Sequence, residues 1–218
     1  MKTWAVLPVK PLVRGKSRLA PVLSPAQREK LSLGMLLHNI HLLKSLDCIS
    51  NILVISRDTK VLSIARDLGV YTVQESGQPE LNPALMRASK LIHTWGGEAM
   101  LILPSDVPLV AAEDVEKIVH LGRFPATMVI APDAAKDGTN GLLVHPPGLI
   151  AYSYGSGSFQ RHIAAAELAG ATVEVYESER LALDVDTPPD LEEYVRLAAK
   201  YDAPVIDFQL QQQQVVEG

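Results

Sequence analysis

Cysteine is nearly missing from this chain: its 218 residues include one, Cys48. A single thiol cannot close a disulfide within the chain, so a reducing compartment is expected, with the cytoplasm the simplest setting. Aromatic residues are scarce as well, at 5%, and too scattered to form the stacking platform that holds single-stranded nucleic acid. Positive charge is not in excess either. The formal net charge is -5 and the isoelectric point is near 5.7, whereas nucleic-acid-binding domains present broad basic faces. No apolar run reaches the roughly 20 residues that a membrane-spanning helix needs. The opening "KTWAVLPVKP" holds an apolar run too short for a signal sequence and broken at Pro8. Neither a nucleic acid nor a membrane is therefore an expected partner. The glycines of a Walker loop or of G-x-G-x-x-G are absent, as are HExxH, a Ser-His-Asp set and zinc-type cysteine pairs.

Hydrophobic residues make up 47% of the chain, enough for a substantial core. One domain over residues 1–207 is expected, followed by a Gln-rich, disordered tail over 208–218. Short apolar runs alternate with helical patterns throughout. "TWAVLPV", "NILVIS", "VYTVQ", "AMLILPSD", "TMVIAP", "GLLVHP" and "ATVEVYE" read as strands. The stretches between them carry helix signals. Ser24 is a good N-cap with Pro25 in the first turn and Gln27 completing a capping box. Asp58 is placed to cap the next helix, which Gly69 closes, and Asn82 to cap a third with Pro83 at its first position. Continuous apolar strands alternating with helices predict an α/β three-layer sandwich, Rossmann-like, with a mostly parallel sheet covered on both faces.

Such sheets bind ligands beyond the carboxyl ends of their strands, and that is where the conspicuous residues fall. After the first strand come Lys10, Arg14, Lys16 and Arg18, with Gly15 allowing close backbone approach. Cations beside a helix N-terminus suit a phosphate group, although a solvated basic loop would look the same. Asp106 follows the fourth strand between Pro104 and Pro108, as a ligand-facing carboxylate or as turn chemistry. In "LALDVDTPPDL", Asp184 and Asp186 are expected to point to opposite sides of an extended segment, so that only one of them faces the site. If Asp106 and one of that pair converge, they suit Mg²⁺, which takes one or two carboxylates and completes its shell with phosphate and water. "KDGTNGLLV" and "YGSGSFQRH" offer free backbone N–H groups and the hydroxyls of Thr139, Ser156 and Ser158, again a natural anion cradle or else an ordinary hairpin and cap. His38 and His41 share a helix face without a third ligand. His162 could touch an anion or pack in the core.

Taken together, "LPVKPLVRGKSRLAPVLSPAQRE", "ELNPAL", "LPSDVPL", "DGTNGLL", "YGSGSF" and "LDVDTPPDL" resemble the 2-phospho-L-lactate guanylyltransferase family, which in bacteria includes phosphoenolpyruvate guanylyltransferases. The resemblance covers residues 4 to 198, with the motifs in the family's order. It implies a fold of the nucleotide-diphospho-sugar transferase type, similar to molybdenum-cofactor guanylyltransferase, and a role in coenzyme F-420 biosynthesis. It further implies that Lys16 and Arg18, with Lys10 and Gly15, hold the phosphates of GTP. Leu81 and Asn82 would lie beside the nucleoside. Asp106 and Asp186, with Asp184, would hold Mg²⁺. Thr139, Gly155 and Ser158 would bind a small phosphorylated carboxylic acid: phosphoenolpyruvate is favoured, with 2-phospho-L-lactate and 3-phospho-D-glycerate as the other candidates. The catalytic set would be Lys16, Arg18 and Asp106. The chain departs from the family where Tyr154-Gly155-Ser156-Gly157-Ser158 replaces Phe-Gly-Pro-Gly-Ser, which predicts a looser acid pocket, and where Glu80 replaces Gly. A homodimer is the default assembly. Two rival readings carry their own signatures. A DxD-type glycosyltransferase would depend on Asp184 for sugar transfer, and a non-catalytic nucleotide-binding module would bind GTP without turnover.

Overall fold

A computed structural model of the chain describes residues 1–12, 15–75 and 80–208. Arg14, one of the opening cations, and the Gln-rich end from Gln209 onward lie outside the described residues. Seven strands form one sheet: β1 (Thr3–Val9), β2 (Asn51–Ser56), β3 (Tyr71–Gln74), β4 (Ala99–Ile102), β5 (Thr127–Pro132), β6 (Thr139–His145) and β7 (Thr172–Val175). Their order is β3-β2-β1-β4-β6-β5-β7. The helices are α1 (Pro25–Lys44), α2 (Thr59–Asp67), α3 (Leu81–Thr94), α4 (Ala112–Leu121), α5 (Ser158–Leu168) and α6 (Pro188–Lys200).

Most strands pair in parallel, as the alternating pattern predicts. β6 runs antiparallel to both β4 and β5. The cause is local, because β5 and β6 are joined by a hairpin too short for a crossover. The Asp133 carboxylate fastens that turn, accepting the N–H groups of Asp137 and Gly138 at 2.9 Å each. Reversing β6 has a functional consequence. Its first residues, Thr139 and Asn140, arrive at the same end of the sheet as the carboxyl ends of its neighbours.

Successive side chains of a strand point to opposite faces, and both faces here are covered. Ala5, Leu7, Val54 and Leu101 pack against Leu36 and Ile40 of α1, Val61 of α2 and Val115 of α4. Val6, Leu53, Ile55 and Met100 pack against Leu85, Ala88 and Ile92 of α3 and Phe159 of α5. The expected Ser24 capping box and Asp58 cap are both formed.

A third cluster is the one that assembles the site. Leu19 and Leu23 from the loop after β1, and Leu31 and Met35 of α1, pack with Val185 and with Tyr194 and Leu197 of α6. Leu19, Val185 and Tyr194 are wholly buried. Burying side chains of this size contributes about 1.5–3 kcal/mol each, and here the burial presses the first loop of the chain against its last connection. A backbone hydrogen bond from Val185 N–H to the Asp106 carbonyl (3.0 Å) adds the loop after β4 to the same junction.

Candidate functional site

The chain builds β1, β2 and β3 outward in one direction and then places β4 on the other side of β1. At that reversal the loops after β1 and β4 part and leave a crevice. A cleft of about 880 Å³ opens there. Its walls include Lys10, Gly15, Lys16 and Arg18 after β1, Asp106 after β4, and Leu81 and Asn82 at the start of α3. Thr139 at the head of β6, Gly155 and Ser158 at the head of α5, and both Asp184 and Asp186 line it too.

Lys16 lies at the centre. Its Nζ donates to Asp106 Oδ2 at 2.9 Å and to Asp186 Oδ1 at 2.8 Å, and its side chain is only 7% exposed. The backbone of Lys16 is left-handed, with φ 54° and ψ 36°, a conformation that costs a non-glycine residue roughly 1–2 kcal/mol. The surrounding turn holds it there: Gly15 N–H donates to the Leu12 carbonyl (3.2 Å) and Leu19 N–H to the Lys16 carbonyl (2.9 Å). Strain kept at a charged residue inside a cleft is a mark of function. Gly15 itself has ordinary van der Waals room for a methyl group, so its bareness leaves the backbone open towards the cleft.

The charges are strongly coupled. Burial would lower the pKa of Lys16, but Asp106 and Asp186 overcome it and raise the ammonium above its usual value. Burial would likewise raise Asp186, but Lys16, then Lys10 and Arg18, hold its carboxyl below the usual range. Asp184 goes the other way: burial first and the charges of Asp106 and Asp186 after it push its carboxyl up, opposed by Asn140 and Lys16. The cleft therefore gathers one more carboxylate than its central ammonium can satisfy.

That imbalance bears on a metal. Among the described residues, no set of three or more His, Cys, Asp or Glu stands ready to hold an ion by itself. Asp106 and Asp186 do converge on one cation-sized point, where the Lys16 ammonium serves as the stand-in, and the carboxyl of Asp184 is pushed up by burial and by those two carboxylates. Such a donor set fits Mg²⁺ that arrives with phosphate oxygens of its own.

Both aspartates of "DVD" line this cleft, which corrects the expectation that they face opposite ways. Residues two apart in an extended stretch share a face, and it is Val185 between them that turns away into the third cluster. A second correction concerns Asn82. It does not cap α3, which begins one residue earlier at Leu81 with Glu80 flanking it. Its side chain is used across the cleft instead: Oδ1 accepts Tyr154 N–H at 2.7 Å, and Nδ2 donates to the Tyr154 carbonyl at 3.4 Å.

At the far wall the Thr139 and Ser158 hydroxyls lie 3.1 Å apart. The turn before α5 needs Gly155 (φ 118°) and Gly157 (φ 72°) in the left-handed region, and a side chain on Gly157 would meet the Arg161 guanidinium at 3.0 Å. Ser156, which stands in the family's proline position, bonds through its hydroxyl to Asp137 (3.3 Å), whose carboxylate also accepts Gly157 N–H (3.0 Å). Arg161 donates to the Ser153 side chain (2.7 Å), to the Ser153 carbonyl (2.9 Å) and to the Ser156 carbonyl. Side-chain ties thus replace the missing proline.

Several cleft residues escaped the sequence reading. Asn140 donates to the Leu181 carbonyl (2.9 Å) and to Asp184 (3.3 Å), fastening the head of β6 to the "DVD" stretch. Arg57 and Glu75, paired at 3.3 Å, line the cleft beyond β2 and β3. Both follow strands, so the rule that pointed to Asp106 would have found them.

A sheet reversed at one strand, with acidic and basic strand-end loops facing each other across its switch point, is the architecture of a nucleotidyltransferase. Solved structures share the fold. A candidate nucleotide-diphospho-sugar transferase from Desulfovibrio desulfuricans G20 aligns with TM-score 0.74 at 17% identity, over 91% of this chain and 88% of that one. A nucleotidyl transferase from Methanothermobacter aligns with TM-score 0.68 at 18% identity, over 92% and 97%. The family itself is shown by sequence: the model of the family described as "Guanylyl transferase CofC like" matches residues 3–199, and the chain belongs to that family. It is 40% identical to the phosphoenolpyruvate guanylyltransferase of Rubrobacter xylanophilus, over 88% of this chain and 92% of that protein. It is 39% identical to the 2-phospho-L-lactate guanylyltransferase of Methanothermobacter thermautotrophicus, over 89% and 85%.

Proposed function

We propose that this protein joins the GMP unit of GTP to the phosphate of a phosphorylated three-carbon acid, phosphoenolpyruvate foremost, as a step of coenzyme F-420 biosynthesis. One observation carries the reading: an ammonium held between two carboxylates at a sheet switch point, across one cleft from a pair of buried hydroxyls at a helix N-terminus. Relatives named phosphoenolpyruvate guanylyltransferase in Rubrobacter xylanophilus and Thermobaculum terrenum support the choice of acid. The 2-phospho-L-lactate enzyme of Methanothermobacter keeps that acid in contention, with 3-phospho-D-glycerate as the third candidate. The proposed setting is the cytoplasm. Among the described residues no helix is long and apolar enough to cross a membrane.

In the proposed reaction a phosphate oxygen of the acid attacks the α-phosphorus of GTP, and the bond to the β-phosphate breaks to release pyrophosphate. The nucleophile is already anionic, so no protein base is required. What the chain must supply is positioning and neutralisation of charge. Lys10, Lys16 and Arg18 are the cations placed for the triphosphate. On nucleotide binding the Lys16 ammonium can exchange its carboxylate partners for phosphate oxygens, which frees Asp106 and Asp186. Those two, with Asp184, would hold Mg²⁺, which would supply Lewis-acid polarisation and charge neutralisation for the phosphates. Thr139, Ser158 and the amides of the Gly155 turn would seat the acid. Leu81 offers an apolar surface to the nucleoside.

Pyrophosphate release, measured with GTP and Mg²⁺ and each of the three acids in separate reactions, tests this directly. Release with one acid establishes guanylyl transfer and names the substrate. Silence with all three, while GTP still binds, would remove the reading in favour of a non-catalytic nucleotide module.

A further inference from the structure

His162 belongs to no step above, yet it is a fully buried polar side chain near the cleft. It lies on α5 one turn after Ser158, is 0% exposed, and both its ring nitrogens are bonded. Nε2 accepts the N–H of Ser153 at 2.9 Å. Nδ1 lies 3.1 Å from Thr139 Oγ1, which in turn lies 3.1 Å from Ser158 Oγ. Tyr154 meets the ring edge-on, with centroids 5.0 Å apart.

The direction of the protons in this chain follows from one fixed donor. A backbone N–H can only donate, so Nε2 must be the unprotonated nitrogen. Burial, together with the neighbouring Arg161 charge, lowers the pKa of His162 to about 4, so the ring is neutral near pH 7 and its single proton is on Nδ1. Among the described residues that proton has one hydrogen-bond acceptor, Thr139 Oγ1. The row from His162 through Thr139 to Ser158 then holds three protons, one from each group, and makes two internal hydrogen bonds. One hydroxyl proton is left over, and both residues line the cleft. With the opposite tautomer the row would hold two protons for the same two bonds. It would then present only lone pairs to the cleft, which repel a phosphate or carboxylate.

We propose that His162 is a positioning residue of the acid pocket: locked as its Nδ1–H tautomer by the Ser153 amide, it guarantees that the Thr139–Ser158 pair always has one hydroxyl proton to donate to the anionic substrate. This role rests on the reading of Thr139 and Ser158 as the acid-binding pair. Arg161, the adjacent residue, supports it from outside by pinning the same Ser153 through its side chain and carbonyl.

Two measurements decide it. Long-range proton–nitrogen NMR of the histidine-labelled protein, with the His162 signals assigned by their loss in His162→Gln, is expected to show a protonated Nδ1 and an unprotonated Nε2 near pH 7. A protonated Nε2 overturns the proposal. Kinetics supply the functional readout. His162→Asn keeps a donor where Nδ1 was, whereas His162→Gln keeps only the acceptor where Nε2 was. The KM for phosphoenolpyruvate is expected to be about tenfold higher in the Gln variant than in the Asn variant, with the KM for GTP within about twofold in both. Equal rises for both substrates in both variants would reduce His162 to a packing residue and overturn the proposal. Absence of turnover in the unmodified protein with every acid would instead sink the guanylyl-transfer reading, and the tautomer would still decide the hydrogen-bond row.

Discussion

Two clusters in this molecule set aspartates against a cation, and they are finished differently. Asp114, at the start of α4, is wholly buried and accepts from five donors: Arg180 Nε and Nη2, the Tyr176 and Ser178 hydroxyls, and the Ala111 N–H, all at 2.7–3.0 Å. Burial would raise its pKa, but Arg180, Ser178, Ala111 and Tyr176 together hold the carboxyl below its usual value. Both oxygens of the Asp114 carboxylate are engaged within that cluster. The cleft cluster inverts each of these features. Lys16 is shared between two carboxylates, a third carboxyl is pushed up by its neighbours, and the central residue has a left-handed backbone. A saturated ion cluster fixes the connection that leads from β7 towards "DVD". An unsaturated one can exchange partners, and exchange is what substrate binding requires.

The contrast can be broken from either side. Asp106→Asn should have the largest effect: a loss of turnover of about 10³-fold or more, from removing a carboxylate from the charge-stabilising centre, with the melting temperature nearly unchanged. Full activity in that variant would take Asp106 out of the mechanism. Asp114→Asn should do the reverse. Breaking a buried pair costs about 3–5 kcal/mol; Arg180 keeps some solvent contact and Glu113, so about 3 kcal/mol is expected, or a fall of about 6–12 °C in melting temperature. Activity per folded molecule should survive. Because the folded-state pKa of Asp114 is depressed, its contribution is fully present above the unfolded value near 3.8 and is lost as the pH falls through the folded one. Acid unfolding curves of the two proteins should therefore converge at low pH.

Lys16→Met should reduce kcat by about 10²–10³-fold and change the sign of a pH effect. In the unaltered protein the depressed pKa of Asp186 contributes stability above about pH 3.8, and the raised pKa of Lys16 contributes it below about pH 10.5. Without the ammonium, burial raises Asp186 instead, so stability should decline as pH rises through the carboxylate range. A curve parallel to that of the unaltered protein would mean that Lys16 does not hold the cluster together. The smallest effect is expected for Ser158→Ala: about a tenfold rise in KM for the acid, since one hydrogen bond to a charged group is lost, with the KM for GTP unmoved.

Much of the architecture was legible because it depends on neighbours in sequence. Apolar runs set the strands, Ser24 and Asp58 capped where local chemistry placed them, and loops following strands held the cleft residues. What escaped depends on distant partners. Asp114 reads locally as an ordinary acidic residue in a helix's first turn; its partners at positions 176, 178 and 180 come into view only when β7 is laid against β5. Asn82 carries a capping side chain, but the backbone of Tyr154 claims it across the cleft. His162 closes the "YGSGSFQRH" stretch, but its meaning comes from a backbone N–H nine residues earlier. The "DVD" error was one of period, and the burial of Val185 reveals the correct facing.

The central claim is that this cleft forms a new phosphorus–oxygen bond between an acid's phosphate and the α-phosphorus of GTP. Phosphorus NMR of the protein with GTP, Mg²⁺ and phosphoenolpyruvate tests it most directly. The account predicts a new pair of coupled diphosphate resonances growing in step with free pyrophosphate, while the phosphoenolpyruvate signal declines by the same amount. Pyrophosphate without the new diphosphate pair, or an unchanged phosphoenolpyruvate signal as GTP is consumed, would contradict it.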